Sequence, residues 1–502
     1  MNITVTLNGV DIQAAKGSLI SDLLSLHRSG TEMPCGGHGK CGKCRIIASG
    51  ELSEITEAEK RLLGDDALNS GVRLACFTRA EGSCTVITSE SKESMILTDG
   101  DMPNIKIEPS FTKYGVSIDI GTTTLASRLF DKSGKCLAEA TFPNPQSVFG
   151  ADVISRMEAA LRGDGESLKN VTVKAIDDLL VSLSDTAKVS THDIDGLVLT
   201  GNTVMLHLLT GTDVEPLTHA PFDAKRLFNE TLKAKELSLS KLDPDTEVYL
   251  PSCIAAFIGA DTSCAMLASS LSESSRSEIL CDIGTNGEMV LSVNGKLYAC
   301  STAAGPAFEG AGISMGMAGK IGAIDHVILE NGALKAHVIG NTEPIGICGS
   351  GIVDAAACLL QTGELDESGC LDDDEARIMS SVVLTQEDIR KIQLAKSAIH
   401  AGIRTLIHSS EADISNIDTL LIAGGFGSYL DTDNAVKIGL LPSELSKKIR
   451  VIGNAALTGA SMLLLNRSLR NSSSNNMHNI TVVELSGNPV FTEEYMERMM
   501  FE

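Results

Sequence analysis

The pattern Asp-Ile-Gly-Thr occurs twice in the chain, at residues 119–122 and 282–285, each time at the end of an apolar stretch. A strand followed by glycine and hydroxyl residues predicts a hairpin turn that offers backbone N–H groups to phosphate, with the aspartate available to a magnesium-bound water. One copy is moderately specific, and two ordinary turns with matching residues are the alternative. The second copy, 163 positions after the first, favours two related half-domains that clamp a triphosphate.

Length and composition limit the fold and the partners. The chain has 502 residues, more than one hydrophobic core usually supports, so two or three folding units are expected. Hydrophobic residues make up 43% of it, yet no uninterrupted apolar run of about 18 residues occurs. The first ten residues lack the pattern of a signal peptide. We therefore expect a cytoplasmic protein with no membrane partner, and the net charge of −24 argues against nucleic acid.

The order of strands, helices and polar stretches predicts four segments. A small β-rich unit, which begins with a β-hairpin around an Asn-Gly pair, extends over residues 1–90. A polar stretch with proline and glycine predicts a linker at residues 91–112. Apolar strands then alternate with helical stretches, which is typical of α/β folds and predicts lobes at residues 113–275 and 276–502. The C-terminal segment is a candidate for returning to the first lobe.

Three of the 13 cysteines fall within ten residues, at Cys35, Cys41 and Cys44, and Cys76 is the candidate for a fourth ligand. Disulfide scaffolds are short and cysteine-dense, so metal or cluster ligation explains this spacing better. A [2Fe–2S] cluster takes two thiolates on each iron, and the four glycines inside the motif let backbone amides approach its sulfides. The spacing C-x5-C-x2-C is one residue longer in its first gap than the plant-type pattern and resembles adrenodoxin-like ferredoxins.

Other ligand sets stay open from the sequence. A four-cysteine zinc site also uses C-x2-C pairs, but zinc motifs usually contain two such pairs and this chain has one. Cys84 is the nearest rival for the fourth ligand, and Cys76 is preferred because Leu-Ala-Cys resembles the late ligand of ferredoxins. His38 lies inside the cysteine loop and is interpreted as solvated rather than as a Rieske-like ligand. The remaining cysteines are expected to be small buried side chains.

The two hairpins resemble those of the superfamily that contains actin, sugar kinases, acetate kinase and heat-shock chaperone ATPases. Three further segments, in order, extend this resemblance. Residues 251–261 resemble the first interlobe helix, residues 421–427 the adenosine loop and residues 453–460 the second interlobe helix. Each is weak alone, and their order supplies the specificity. The resemblance implies an α/β chain in which a small β-grasp, ferredoxin-like α+β domain precedes a two-lobed actin-like ATPase with duplicated α/β halves.

A ferredoxin unit joined to this ATPase is similar to the reductive activators of corrinoid-dependent methyltransferase systems. Segments 144–157, 303–317 and 347–357 carry the resemblance, which covers nearly the whole chain. The linker runs almost directly into the first phosphate strand, so the separate middle domain of larger members is expected to be absent. The resemblance implies ATP-dependent reduction of a Co(II) corrinoid protein to Co(I) by electrons from the [2Fe–2S] cluster.

The resemblance also implies roles for individual residues, with the [2Fe–2S] cluster, ATP and Mg²⁺ as cofactors. Asp119 and Asp282 would hold the magnesium shell, and Glu309 would contact ribose. Asp261 is the candidate for orienting the attacking water, with helix capping as the alternative. The phosphates and the adenosine would meet the remaining predicted residues, which are Gly121, Thr122, Thr123, Gly284, Thr285, Asn286, Gly424, Gly425 and Phe426.

Three other functions share some of these features. A sugar- or acetate-type kinase has the same clamp but leaves the ferredoxin unit unexplained. An activator of 2-hydroxyacyl-CoA dehydratases has cluster cysteines inside the ATPase body, whereas the cysteines clustered here precede it. A nucleotide-switched redox-sensing scaffold is the non-enzymatic alternative. The expected partners are a corrinoid protein and an upstream electron donor, either a ferredoxin, a flavodoxin or a reductase, and a homodimer stays open.

Overall fold

The computed structural model describes residues 2–26, 39, 42, 44–69, 71–88, 102–477 and 479–501. The chain divides into two compact units, Met1–Ser94 with Gln146–Ala151 and Met95–Pro145 with Asp152–Glu502. Within the described residues, no helix is long and apolar enough to span a membrane.

The first unit is built on a small mixed sheet. Its elements are β1 (Asn2–Leu7), β2 (Val10–Ala15), β3 (Ser18–Leu19), α1 (Ile20–Leu26), β4 (Arg45–Leu52), α2 (Glu57–Asn69), β5 (Val72–Leu74) and β6 (Arg79–Thr88). The strand order is β2-β1-β6-β4-β5, with β3 paired to β6 and with β1 parallel to β6. A two-residue Asn-Gly turn joins β1 to β2, as the sequence predicts. Alternate residues of β6 are buried, so one face of the sheet covers the core.

A six-stranded sheet organises the first half of the second unit. Its elements are β7 (Tyr114–Ile120), β8 (Thr124–Asp131), β9 (Cys136–Pro143), α3 (Val153–Ala159), α4 (Gly165–Ala187), β10 (Ile194–Gly201), α5 (Thr203–Thr210), β11 (Glu230–Lys233), β12 (Glu247–Leu250) and α6 (Ala260–Ala268). The strand order is β11-β12-β10-β7-β8-β9. β7, β8 and β9 are antiparallel, whereas β10 and β12 continue the sheet parallel to β7.

The second half repeats this arrangement. Its elements are β13 (Glu278–Ile283), β14 (Gly287–Val293), β15 (Lys296–Thr302), β16 (Ala323–Glu330), β17 (Ala333–Val338), β18 (Gly346–Ile347), α7 (Gly349–Thr362), β19 (Glu375–Met379), β20 (Val382–Thr385), α8 (Gln386–Ser409), β21 (Thr419–Ala423), α9 (Thr432–Lys437), β22 (Ile449–Gly453), α10 (Ala455–Leu465), α11 (Leu469–Met477), β23 (Ile480–Val482) and α12 (Pro489–Glu497). The sheet order is β22-β21-β13-β14-β15-β23. Antiparallel β13, β14 and β15 are again extended by parallel strands, here β21 and β22. The duplicated α/β halves are therefore confirmed.

Two helices cross where the halves meet. α10 packs against α6 so closely that a Cβ at Gly459 would lie 1.9 Å from the Cys264 carbonyl oxygen. α10 also reaches the first sheet, because the hydroxyls of Ser461 and Ser117 in β7 are 2.8 Å apart. The prediction of a helix over residues 251–261 is wrong for most of its length, because α6 begins at Ala260. Residues 251–259 are irregular because a proline begins them and an extended glycine ends them.

Candidate functional site

Two hairpins turn toward one cavity in the second unit. β7 and β8 pair as far as Ile120 and Leu125, which leaves residues 121–123 in the first turn. β13 and β14 pair as far as Ile283 and Gly287, which leaves residues 284–286 in the second. In each hairpin the repeated Asp-Ile-Gly-Thr pattern begins one residue before the end of the first strand, so strand pairing fixes the aspartate.

The cavity has a volume of about 290 Å³. All the residues predicted for the nucleotide site lie on its wall, namely Asp119, Gly121, Thr122, Thr123, Asp261, Asp282, Gly284, Thr285, Asn286, Glu309, Gly424, Gly425 and Phe426. Six carboxylates line the described cavity, but no lysine, arginine or histidine side chain does. The negative charge of a bound triphosphate would therefore have to be balanced by backbone N–H groups and a cation.

Burial raises the pKa values of four carboxylates in the cavity, and neighbouring carboxylates add to the effect at three of them. Burial, together with Asp261 and Asp282, holds the pKa of Asp119 well above its ordinary value. Burial raises the pKa of Asp261 to about 6. Burial, with Asp261 and Glu309 nearby, raises the pKa of Asp282 to about 7. The pKa of Glu288 is also well above its ordinary value, first because of burial and then because of the same aspartates. A bound cation would favour the charged forms of all four groups.

The donor set fits a hydrated cation better than a protein cage. Among the described residues, no three His, Cys, Asp or Glu side chains are arranged to hold a metal ion directly. Mg²⁺ usually keeps several waters and takes one or two carboxylates together with substrate phosphates. Asp119 and Asp282, at equivalent places beside the two turns, meet that requirement.

Side chains of its own lobe support the first turn. Asn144 donates from Nδ2 to the Gly121 carbonyl at 2.8 Å and from its backbone N–H to the Thr123 carbonyl at 2.8 Å. The buried Arg156 donates from Nη2 to the Thr122 carbonyl at 2.7 Å. All three carbonyl oxygens of the turn therefore accept a hydrogen bond, which fixes the turn before a ligand arrives.

Glu309 joins the two turns. It ends a short 3₁₀ helix, Pro306–Glu309, and its Oε2 accepts hydrogen bonds from the hydroxyls of Thr123 at 2.5 Å and Thr285 at 3.1 Å. The carboxylate thus contacts two of the residues predicted to bind phosphate. The ribose contact predicted for Glu309 stays a prediction.

An aromatic pair lines the same cavity at the predicted adenosine loop. Phe426 stacks on Phe308 with ring centroids 5.2 Å apart and an interplanar angle of 14°. The Gly424 N–H donates to the Gly453 carbonyl at 3.1 Å, which ties the loop after β21 to the strand before α10. Flat aromatic faces are suitable surfaces for a nucleobase.

The sequence-based assignment missed Glu288, Asn202 and Asn454 on the cavity wall. Glu288 is the direct cross-strand partner of Asp282, so both side chains are on one face of the sheet, and this register could have been read from the hairpin. Asn202 and Asn454 cap α5 and α10, and each follows the glycine that ends an apolar strand. The repeated Gly-Asn pair was the available signal. Asn202 also donates to the Thr122 hydroxyl at 3.2 Å.

Two of the predicted cluster cysteines lie in the described part of the first unit. Cys44 precedes β4 and Cys76 follows β5, and these strands are antiparallel partners, so the cysteines meet at one end. Their Sγ atoms are 3.2 Å apart, both residues are buried, and neither is in a disulfide. The hydrogen bond with Cys76 lowers the pKa of Cys44 to about 7. A close thiol pair with a readily ionised member fits thiolate ligation of iron.

The other predicted ligands, Cys35 and Cys41, lie outside the described residues, as does His38. The rival ligand Cys84 is described. It lies on β6 among core side chains, and burial raises the pKa of its thiol. This environment favours Cys76 over Cys84 as the fourth ligand.

Profiles of three known domains match the chain in succession. The 2Fe-2S iron-sulfur cluster binding domain matches residues 3–81, the RACo middle region matches residues 114–274, and the C-terminal domain of RACo, the ASKHA domain, matches residues 276–502. The chain therefore has the domain order of a RACo-type protein, an iron–sulfur domain followed by the two RACo regions. These matches assign it an iron–sulfur domain and an ASKHA domain of the nucleotide-binding kind, and they confirm the predicted fold class.

Named relatives of this RACo-type chain extend over most or all of it. It is 29% identical to the corrinoid activation enzyme RamQ of Eubacterium limosum, over 100% of this chain and 99% of the relative. It is 25% identical to a [Co(II) methylated amine-specific corrinoid protein] reductase of Methanosarcina barkeri, over 71% and 70%. A solved structure of a reductive activator for corrinoid, iron-sulfur protein aligns with a TM-score of 0.74 and 28% identity, covering 99% and 98%.

The expectation that the middle domain is absent is wrong. Residues 114–274 match the RACo middle region, and they contain the complete first sheet with its phosphate hairpin. The middle region and the first lobe are therefore the same part of this chain. A short linker before β7 did not imply a missing domain.

Proposed function

We propose that this RACo-type chain is an ATP-hydrolysing reductase that converts a Co(II) corrinoid protein to Co(I). One electron enters from an upstream ferredoxin, flavodoxin or reductase and one electron leaves to cobalt, while ATP and water become ADP and phosphate. The names of both relatives, a corrinoid activation enzyme and a corrinoid protein reductase, support the corrinoid partner. The observation that carries the proposal is a cavity bounded by two phosphate-type hairpins in a chain with an iron–sulfur domain.

We propose that Cys35, Cys41, Cys44 and Cys76 hold a [2Fe–2S] cluster, which supplies one-electron transfer when bound. The antiparallel pairing of β4 with β5 supports this assignment because it fixes Cys44 and Cys76 side by side. The Ala75 N–H also donates to the Cys44 carbonyl at 2.8 Å, so the backbone around both thiols is held by the fold.

In the cavity, the N–H and hydroxyl groups of residues 121–123 and 284–286 would bind the phosphates. Asp119 and Asp282 would hold the water shell of Mg²⁺, and Asp261 would orient the attacking water. The raised pKa values support this reading, because carboxylates without a basic neighbour in the cavity are suited to receive a cation. Residues 424–426 would contact the adenosine.

ATP is needed for a thermodynamic reason. Co(I) is a strong reductant, so electron flow from a ferredoxin-type cluster to Co(II) is uphill. Nucleotide binding would bias a complex with the corrinoid protein in which the cobalt coordination has changed. A ligand shifts such an equilibrium only through different affinities for the two states, so the complex and the free chain should bind ATP differently.

The segment boundaries remain part of this proposal. They place the cluster domain at residues 1–90, the linker at 91–112 and the ATPase lobes at 113–275 and 276–502. A cytoplasmic location and a homodimer likewise stay predictions.

The test is anaerobic reduction of a cognate Co(II) corrinoid protein, followed by cobalt absorption, with the full chain and a chemical reductant. Co(I) should accumulate with ATP and Mg²⁺, and not with ADP or a non-hydrolysable ATP analogue. The visible and electron paramagnetic resonance spectra should report one [2Fe–2S] centre before and after dithionite. Equal Co(I) formation without nucleotide would contradict the proposal.

Cys41→Ser provides the control for the electron path. It should remove the cluster spectrum and Co(I) formation while leaving ATP turnover and the melting of the ATPase unit in place, because Cys41 and the residues of the nucleotide cavity belong to different compact units. Loss of ATP turnover together with the cluster would show a folding defect instead.

A further inference from the structure

A second cavity lies between the two sheets of the second unit, apart from the nucleotide cavity. It has a volume of about 880 Å³. Its walls include Arg128 of β8, in the first sheet, and Arg450 of β22, in the second. One carboxylate, that of Glu139, is the only acidic side chain among its described lining residues. The local charge balance is therefore positive in a chain whose net charge is −24.

Arg128 is held in place, but not all of its N–H donors have a partner. Its side chain is 6% exposed, its Nε donates to Glu139 at 2.9 Å, and its Nη1 lies 3.4 Å from the Thr458 hydroxyl. Within the described part of the chain, Nη2 of Arg128 has no hydrogen-bond partner. This N–H₂ group is not among the fully buried atoms of the described residues that lack a partner, so it is open to the cavity, where water or a ligand can complete its bonds.

Arg450 supplies a second positive charge that the protein leaves unneutralised. Its side chain is exposed at the cavity, and it forms no ion pair or hydrogen bond with any residue of the described ranges. Glu139 already pairs with Arg128. An anion in the cavity would meet one guanidinium from each sheet, and guanidinium groups bind carboxylate and phosphate oxygens especially well.

We propose that this cavity is a second ligand site, which binds a small polycarboxylate or phosphate anion between Arg128 and Arg450. The site goes beyond the proposed reduction, because none of the assigned catalytic residues lines it. The first turn of α10 separates it from the nucleotide cavity: Gly453 and Ala455 face the anion site, whereas Asn454 and Ala456 face the nucleotide. A bound anion would therefore contact both sheets beside the helix that joins them.

Cys136 makes the test direct, because its exposed thiol lies on the wall of this cavity. The full chain is alkylated with iodoacetamide, and the modified peptides are quantified by mass spectrometry. Burial and Glu139 raise the pKa of the Cys136 thiol, so labelling is run at alkaline pH. Cys370 is the other exposed cysteine among the described residues and provides an internal reference, since it does not line the cavity.

Citrate and inorganic phosphate are added in separate series at constant ionic strength, with chloride as the reference salt. At an anion concentration tenfold above its Kd, alkylation of Cys136 should slow by about tenfold, because the bound fraction is shielded. Alkylation of Cys370 should not change. Protection by citrate alone identifies a polycarboxylate site, protection by phosphate alone identifies a phosphate site, and protection by both supports the shared anion chemistry.

Arg450→Ala should abolish protection, and Arg450→Lys should retain part of it because the charge remains. Lys447→Ala is the matched control: it removes one exposed positive charge three residues away, outside the cavity wall, and should leave protection intact. Equal melting temperatures would show that the variants are folded. The proposal would be overturned if neither anion protects Cys136, or if the protection is unchanged in Arg450→Ala.

Discussion

The two phosphate-type hairpins have the same outline but different supports. In the first, the three turn carbonyls accept hydrogen bonds from Asn144 and Arg156, which belong to the same lobe. The second is closed by its own backbone bond, from the Gly284 N–H to the Asn286 carbonyl at 2.9 Å, and is tied to Glu309 through Thr285. The same sequence motif is therefore held by different hydrogen bonds in the two turns.

This difference suggests different tasks. The first turn is preorganised, so it can bind phosphate with little rearrangement. Glu309 bonds a hydroxyl of each turn, so both contacts must change if phosphate takes those hydroxyls. The second turn then keeps its one backbone bond, whereas the first keeps the bonds to all three of its carbonyls. We therefore expect the second turn to respond to the nucleotide and the first to provide a fixed reference.

The largest contrast should come from alanine at the equivalent glycines. A Cβ at Gly121 would lie 2.6 Å from the Thr124 carbonyl oxygen, which is backbone, whereas a Cβ at Gly284 would lie 3.3 Å from the movable Glu309 carboxylate. Gly121→Ala should lower ATP turnover by about 100-fold or more, the effect of displacing a reacting group by about 1 Å. Gly284→Ala should lower it much less. Steady-state phosphate release measures both, and equal losses would mean that the turns are equally rigid.

The next effect concerns the support of the first turn. Asn144→Ala would leave the Gly121 carbonyl without its donor, which costs about 1–3 kcal/mol. The KM for ATP should rise by about tenfold, since 1.4 kcal/mol corresponds to that factor, and the melting temperature should fall. Asn286→Ala is the matched change in the second turn and should lower the melting temperature less: it removes the side-chain hydrogen bond to Glu288, but the backbone still closes that turn. If only Asn286→Ala lowered the melting temperature, the second turn, and not the first, would be the one that depends on side-chain support.

Glu309→Gln separates the bridging position in the structure from the predicted ribose contact. If the carboxylate must give way to phosphate, removal of its charge should tighten ATP binding by about threefold to tenfold, the effect of one screened like charge. If it binds ribose, affinity should fall. Asp325→Asn is the control, because it removes a charge from the same cavity without touching either turn. Titration calorimetry distinguishes the two outcomes.

The smallest effect is on stability. Burial raises the pKa of Asp282 from its ordinary value to about 7. The folded chain therefore holds this proton more tightly than the unfolded chain, and the resulting stabilisation is lost as pH rises through 7. Without nucleotide or metal, Asp282→Asn should raise the melting temperature by about 2 °C or more at pH 8 and leave it nearly unchanged at pH 4. An equal rise at both values would exclude titration as the cause.

Local patterns explain why much of the fold and the site could be predicted. Both hairpins are short-range structures, and their turns and aspartates are neighbours in sequence, so the motif alone placed them correctly on the cavity wall. The closeness of Cys44 and Cys76 in space depended on one strand pairing between residues 32 positions apart. The resemblance to ferredoxins supplied Cys76 as the candidate ligand, and the structure supplies the strand pairing.

The remaining features depend on contacts that leave no sequence pattern. Arg156 supports Thr122 from a helix 34 positions later, and Glu309 meets Thr123 across 186 positions. The helix expected over residues 251–261 came from the resemblance to an interlobe helix, but a proline and an extended glycine limit the helix to the last part of that segment.

The most direct test of the central claim uses Asp282→Ala, assayed with a cognate corrinoid protein. ATP turnover should fall by orders of magnitude, while the cluster spectrum and its reduction by dithionite stay as in the unmodified chain, because Asp282 and the cluster cysteines belong to different compact units. Monitored by cobalt absorption, the variant should accept electrons but fail to convert Co(II) to Co(I). Full conversion by this variant without ATP turnover would contradict the claim that nucleotide in this cavity drives the reduction.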